Sequence, residues 1–68
     1  MTIDIYENSK DDSLDDIHLC TKHNIDVIPC KGDKLAIDDH FYIVDDFLWH
    51  MHTDEYRAVS LTIWVDKQ

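Results

Sequence analysis

Basic residues are scarce in this 68-residue chain: six Lys and Arg stand against fifteen Asp and Glu, for a formal net charge of −9 at pH 7. So negative a surface repels nucleic acid, which proteins bind mainly by neutralising phosphates with Lys and Arg. The composition therefore argues against direct binding of DNA or RNA. It favours a partner protein with a basic surface.

Glycine and proline are also rare, with one of each. This argues against a low-complexity chain, and a hydrophobic content of 44% is too high for an intrinsically disordered one. A chain of this length forms one domain, residues 1–68, and folding buries only roughly 60% of the surface that the unfolded chain exposes. The core must be built from few side chains.

Long apolar runs are missing. No stretch approaches the roughly 20 residues of a membrane span, and the N-terminal MTIDIYENSK lacks the basic and apolar segments of a secretory signal. We therefore expect a cytoplasmic protein without a membrane partner. Because thiols stay reduced in the cytoplasm, we expect Cys20 and Cys30 to be free rather than joined in a structural disulfide.

Alternating apolar residues predict several β-strands. Val59, Leu61, Ile63 and Val65 alternate with small residues and with Trp64, which is the pattern of a strand with one buried face. Shorter strands are predicted at TIDIYE and KLAI, with turns at residues 31–33, 38–40 and 52–57.

Residues 13–23 fit two descriptions. From Ile17 onwards the odd positions are mostly apolar and the even ones mostly polar, which predicts a strand, or two strands that turn near residues 22–24. Alternatively, Ser13 caps a short helix with Asp16 at the third position and Leu14 in its buried stripe. The alternation continues into IDVIP, so we favour the strand and keep the helix as the alternative.

The most hydrophobic segment, FYIVDDFLW, contains two aspartates. Its apolar spacing is two, three, two, through Tyr42, Val44, Phe47 and Trp49. Strict alternation would turn a carboxylate into the core at high cost. A β-bulge at Asp45-Asp46 avoids this cost and bends the strand. The sequence therefore predicts an all-β domain, a five-stranded SH3-like barrel or a strongly curved antiparallel sheet.

Residues 25–65 resemble small β-barrel proteins encoded by bacteriophages and integrated elements. The shared pattern is Ile/Val-Pro, two residues, Gly-Asp, a short strand, Tyr-x-Val-x-x-apolar-x-Trp and a valine-rich strand. Its positions here are Ile28, Pro29, Gly32, Asp33, Tyr42, Val44, Phe47 and Trp49. The resemblance carries no catalytic residue. It implies a phage or mobile-element origin, where short acidic proteins often resemble inhibitors of host defence or host enzymes.

Two groups of residues are of the types that bind metal ions, but their spacing is not that of a known metal site. The first combines the thiols and imidazoles that zinc prefers: His18, Cys20, His23 and Cys30. The second is His40, His50, His52 and Asp54. Neither contains two tight ligand pairs, so we predict no metal site and no cofactor, with a zinc-stabilised domain as an alternative. On a strand, His18 and Cys20 share a face. The serines lie in no nucleophile motif, and we expect no enzymatic activity.

The acidic residues come in pairs, mostly in predicted turns: Asp11-Asp12, Asp15-Asp16, Asp38-Asp39, Asp45-Asp46 and Asp54-Glu55. One interpretation is solubility and protection of strand edges. The other is that they imitate the charge of a nucleic-acid backbone and occupy the basic groove of a nuclease, polymerase or repressor.

Trp64 falls on the face opposite the predicted core. It is either an exposed anchor, for a partner or for a second copy in a homodimer, or a side chain covered by the N-terminal segment. The predicted partner-binding residues are Asp38, Asp39, Asp45, Asp46 and Trp64. The predicted function is that of a non-enzymatic inhibitor or accessory factor, and the alternative is a homo-oligomeric phage assembly component.

Overall fold

The computed structural model describes residues 1–9 and 15–68. They form five strands: β1 (Thr2–Glu7), β2 (Ile17–Lys22), β3 (Lys34–Ile37), β4 (His40–His50) and β5 (Ser60–Lys67). The strands lie in one sheet in the order β2-β1-β5-β4-β3. The sheet curls into a half-barrel, with β2 and β3 at its two edges. The all-β prediction is confirmed.

One prediction about the sheet is wrong, because the pairing is not antiparallel throughout. β1 pairs with β5 in parallel, from Thr2 opposite Ser60 to Glu7 opposite Val65, and the other three pairings are antiparallel. β1 and β5 lie at opposite ends of the sequence, so no tight turn fixes their relative direction. The alternation of apolar residues is the same for either direction, and the sequence pattern could not distinguish them.

The helix alternative for residues 13–23 is also wrong over its described part, because Ile17–Lys22 is a strand paired with β1. Ser13 and Leu14 lie outside the described residues. The strand ends before Asn24, whose positive φ of 58° turns the chain, and IDVIP does not continue it. β2 contains a bulge of its own, since Cys20 lies opposite Ile5 but His18 lies opposite Tyr6. His18 and Cys20 therefore face opposite sides of the sheet, contrary to the prediction.

The core lies on the concave side of the sheet. Its buried apolar residues come from three adjacent strands: Ile3, Ile5, Tyr42, Val44, Leu61, Ile63 and Val65. Leu61, Ile63 and Val65 have no exposed surface, so β5 is the centre of the core, as its alternation predicts. Leu35 and Ile37 of β3 pack against this cluster.

The bulge in β4 is confirmed. Val44 lies opposite Val65 and Asp46 lies opposite Trp64, so Asp45 is the extra residue. Phe47 and Trp49 then lie opposite Ile63 and Leu61, on the core side of the sheet. Asp46 is exposed and Asp45 is half-buried, which keeps both carboxylates in contact with water.

Candidate functional site

The convex face of the sheet carries a group of aromatic and polar side chains around Trp64. Because β5 turns Leu61, Ile63 and Val65 into the core, its alternate residues point the other way. Register then places Tyr6 and Asp46 on either side of Trp64, and Leu48 beside Thr62. We call this group the Trp64 face, and its members are Asp4, Tyr6, His18, Asp46, Leu48, His50, Thr62 and Trp64.

Aromatic contacts hold Trp64 in place. The rings of Tyr6 and Trp64 are stacked, with centroids 6.5 Å apart and an interplanar angle of 30°. The imidazole of His18, on β2, contacts the Tyr6 ring from the side away from Trp64, with ring centroids 5.0 Å apart. Trp64 is half-buried, so it is partly covered by a residue of the N-terminal strand while part of it still faces solvent. A fixed, partly exposed Trp is suited to anchor a contact, because little side-chain freedom is lost on binding.

A polar network lies beside the aromatic residues. The Thr21 hydroxyl donates a hydrogen bond to Asp4 Oδ1. His18 Nε2 lies 3.0 Å from Thr21 Oγ1 and 3.4 Å from Asp4 Oδ1. With the hydroxyl proton committed to the carboxylate, the Thr21 oxygen accepts from an imidazole N–H. This arrangement fixes the orientation of the His18, Thr21 and Asp4 side chains relative to one another.

A shallow groove of about 410 Å³ runs along the Trp64 face. Tyr6, Leu48 and Trp64 supply its apolar lining, and Asp15 and Asp16 stand at its rim. His50 lies on the same groove, with its Nε2 atom 2.7 Å from Thr62 Oγ1. An apolar floor beside carboxylates suits a ligand that combines a hydrophobic part with a positive charge, such as a Lys or Arg side chain.

Asn8 fixes two carboxylates next to the bulge. Its Nδ2 group donates to Asp45 Oδ2 and to Asp66 Oδ1, each at 3.0 Å, so the two carboxylate oxygens are no farther apart than twice that length. Asp46, the next residue, lies opposite Trp64. Sequence patterns pointed to Asp45 and Asp46 but missed Asn8 and Asp66. No local motif joins residues that are 37 and 58 positions apart.

Asp38 and Asp39 lie elsewhere. They form the two-residue turn between β3 and β4, and both have a positive φ, 49° and 67°. Seven positions separate Asp39 from Asp46, which is roughly 20 Å along a strand. The structure therefore brings Asp45, Asp46 and Trp64 together. Asp38 and Asp39 lie in the turn at the start of β4, far from the bulge.

Most of the acidic charge is not neutralised within the chain. Among residues 1–9 and 15–68, Arg57 is the one Lys or Arg side chain that forms an ion pair, with its Nη2 atom 2.7 Å from Asp54 Oδ2. Hydrogen bonds from Arg57 hold the pKa of Asp54 below its usual range. Of the acidic pairs, Asp11-Asp12 lies outside the described residues. The other described carboxylates, on the convex face and in the turns, form no ion pair with Lys or Arg and can interact with a positive charge on another molecule.

The candidate metal ligands do not come together. Within the described part of the chain, no three His, Cys, Asp or Glu side chains form a group that could hold a metal ion. The β2 bulge separates His18 from Cys20, and His23 Nδ1 instead lies 3.2 Å from Thr2 Oγ1. Cys20 and Cys30 are free thiols.

No known family model, curated protein or solved structure is significantly similar to this chain. Across the described ranges, 1–9 and 15–68, there is no helix long and apolar enough to cross a membrane.

Proposed function

We propose that this protein is a non-enzymatic, acidic protein-binding module that attaches to a basic surface of a host or phage protein. The observation that carries the proposal is the position of the uncompensated carboxylates. Asp45, Asp46 and Asp66 lie beside Trp64, and one Lys or Arg ion pair is present in the whole described part of the chain. A fixed aromatic anchor next to unpaired charge is the arrangement of a protein interface.

The partner surface we infer is one that normally binds nucleic acid. Such grooves are lined with Lys and Arg, and their field attracts a chain of net charge −9 as it attracts phosphates. The same charge keeps the protein itself away from DNA and RNA. The module acts in the cytoplasm as an inhibitor, because it competes with nucleic acid for the groove.

A phage or mobile-element origin is part of this proposal. It is supported by the resemblance of residues 25–65 to small phage-encoded β-barrel proteins. An inhibitor of a host nuclease, polymerase or repressor is the role that fits both this origin and the charge. Because the resemblance carries no functional residue, the proposal rests on charge and on Trp64 for its contacts.

The experiment is affinity capture followed by competition. Untagged protein is coupled to a resin, the bound partner is purified from host extract, and the complex is exposed to increasing duplex DNA. We expect a partner with a basic nucleic-acid groove, and we expect duplex DNA to displace it. A partner that binds the protein and duplex DNA simultaneously would overturn the proposal.

A matched pair of variants tests the residues. Asp45→Asn with Asp46→Asn keeps the oxygen atoms that accept from Asn8 and from the Phe47 N–H but removes both charges. Asp26→Asn with Glu55→Gln removes the same charge at two exposed positions that are not part of the Trp64 face. We expect the first pair to weaken partner binding by about tenfold and the second to change it much less. Equal effects would show that only net charge matters.

A further inference from the structure

The second half of β4 has a free edge. On the side away from β5, β3 pairs with residues 40–43 of β4, and the turn before β3 extends this pairing by one residue. The Gly32 N–H donates to the Val44 carbonyl and the Val44 N–H donates to the Asp33 carbonyl, both at 2.9 Å. Beyond Val44, no described residue pairs with this side of β4.

The outward-pointing backbone groups on this edge can be assigned. Val44 bonds away from β5, and the bulge adds one residue, so Phe47 and Trp49 are the next residues to point outward. The Phe47 N–H agrees with this assignment, because it donates to the Asp46 carboxylate at 2.8 Å. The edge therefore offers the N–H and C=O groups of Phe47 and Trp49 to another strand.

The side chains along the edge are apolar and exposed. Phe47, Leu48 and Trp49 have 36%, 51% and 42% of their surface exposed. Residues 47–53, FLWHMHT, contain no acid in a chain that has fifteen. Natural proteins usually protect a long apolar edge with charge, a Pro or a covering segment, so an unprotected edge marks a pairing site.

We propose that two copies of this chain pair through this edge, antiparallel about a twofold axis at Leu48. In this register Leu48 lies opposite the partner's Leu48, and Phe47 lies opposite Trp49 of the partner subunit. This register joins the outward-pointing groups of both copies, uses the free run of residues 46–50, and forms two aromatic cross-strand pairs. Aromatic cross-strand pairs stabilise a sheet.

Complementarity between a carboxylate and an imidazole selects a second copy as the occupant, because an imidazole N–H donates to a carboxylate. The free run begins with an acid, Asp46, and ends with His50. In the antiparallel dimer the two strands run in opposite directions, so Asp46 lies opposite His50 of the partner subunit. This pair occurs at both ends of the interface. The Phe47 N–H then bonds to the partner strand instead of to Asp46, and the Asp46 carboxylate is released to the imidazole.

The dimer has one continuous sheet, and each copy keeps its own Tyr6–Trp64 stack. This pairing is independent of the proposed function, because it uses the edge of β4 and no external partner. The dimer covers the apolar run of residues 47–49, which lies between the acidic turns.

Sedimentation equilibrium over a range of protein concentrations tests the proposal. We expect a monomer–dimer equilibrium, with the dissociation constant raised by at least about tenfold in Leu48→Lys, which places two ammonium groups at the axis. Phe41→Lys is the matched control, since Phe41 lies on the same strand, is 57% exposed and is in the part covered by β3. A monomer at every concentration, or equal effects of the two variants, would overturn the proposal.

A charge exchange keeps the test decisive if Leu48→Lys does not fold. His50→Asp places two carboxylates opposite each other at each end, so we expect it to weaken the dimer. Adding Asp46→Lys to His50→Asp places opposite charges at each end, and we expect the dimer to return.

Hydrogen exchange of wild-type protein gives a second measurement: the Phe47 and Trp49 amides become protected as concentration rises. Failure of the double variant to restore association, or exchange independent of concentration, would contradict this register.

Discussion

Asp46 lies directly opposite Trp64 in the ladder between β4 and β5, while its neighbour Asp45 has no residue opposite it. The bulge that accommodates Asp45 determines two features of the molecule. It takes Asp45 out of the alternation, so Phe47 stays on the same side as Val44, and it places one carboxylate beside Trp64 and another within reach of Asn8. The bulge thus links the core to the candidate site.

Deletion of Asp45 tests this role. Without it, Val44 and Asp46 become neighbours opposite Val65 and Trp64, regular alternation returns, and no core side chain changes face. We expect a folded protein that loses only about 1–2 kcal/mol, from the Asn8 hydrogen bond and the bend.

Deletion of Ile43 is the control, because it turns the buried Tyr42 out of the core. We expect it to cost at least about 3 kcal/mol, a large part of the stability of so small a domain. Urea unfolding measures both. Equal losses from the two deletions would contradict the account of the bulge.

The turn between β3 and β4 is strained. Asp38 and Asp39 both adopt positive φ in a two-residue hairpin, a conformation that Asn-Gly adopts more easily. We expect Asp38→Asn with Asp39→Gly to stabilise the protein by about 1 kcal/mol, measured as a higher melting temperature. Asp38→Asn with Asp39→Asn removes the same charges and should gain less. A gain that is equal in both would attribute the effect to charge rather than to backbone.

Tyr42 predicts a dependence of stability on pH. Burial raises the pKa of its hydroxyl above the usual value, and the charges of Glu7 and Asp38 raise it further. In the unfolded chain this group ionises at about pH 10. The stability that the folded protein gains from keeping Tyr42 protonated is therefore complete below about pH 10 and is lost as pH rises through the folded pKa. We expect Tyr42→Phe to reduce the alkaline loss of stability. Tyr56→Phe, at a residue that is 89% exposed, should leave it unchanged. The same alkaline slope in wild type and Tyr42→Phe would refute this assignment.

Much of the fold could be predicted because it depends on local alternation. The apolar positions of β5 predicted its buried side, and the interrupted spacing from Tyr42 to Trp49 predicted the bulge in β4. The bulge in β2 had no such sign, because Leu19 and Cys20 are both apolar and either can face the core. Ile17 lies on the core side, opposite Glu7, but it is 55% exposed because it begins an edge strand.

The candidate site was predicted less completely. Asp45, Asp46 and Trp64 were identified, but their proximity depends on the β4–β5 register, and Asn8 and Asp66 join them through contacts between distant parts of the chain. The parallel direction of β1 also left no mark on the sequence. Local patterns predict which face a residue occupies, whereas neighbours across the sheet are set by topology.

The most direct test of the proposed function is the salt dependence of partner affinity. Raising ionic strength from about 0.1 M to about 1 M shortens the screening length from about 10 Å to about 3 Å. We expect the affinity of the wild-type complex to fall steeply over this range and that of the Asp45→Asn, Asp46→Asn variant to fall less steeply, with the Asp26→Asn, Glu55→Gln variant close to wild type. An affinity that does not change with salt would contradict binding through the carboxylates beside Trp64.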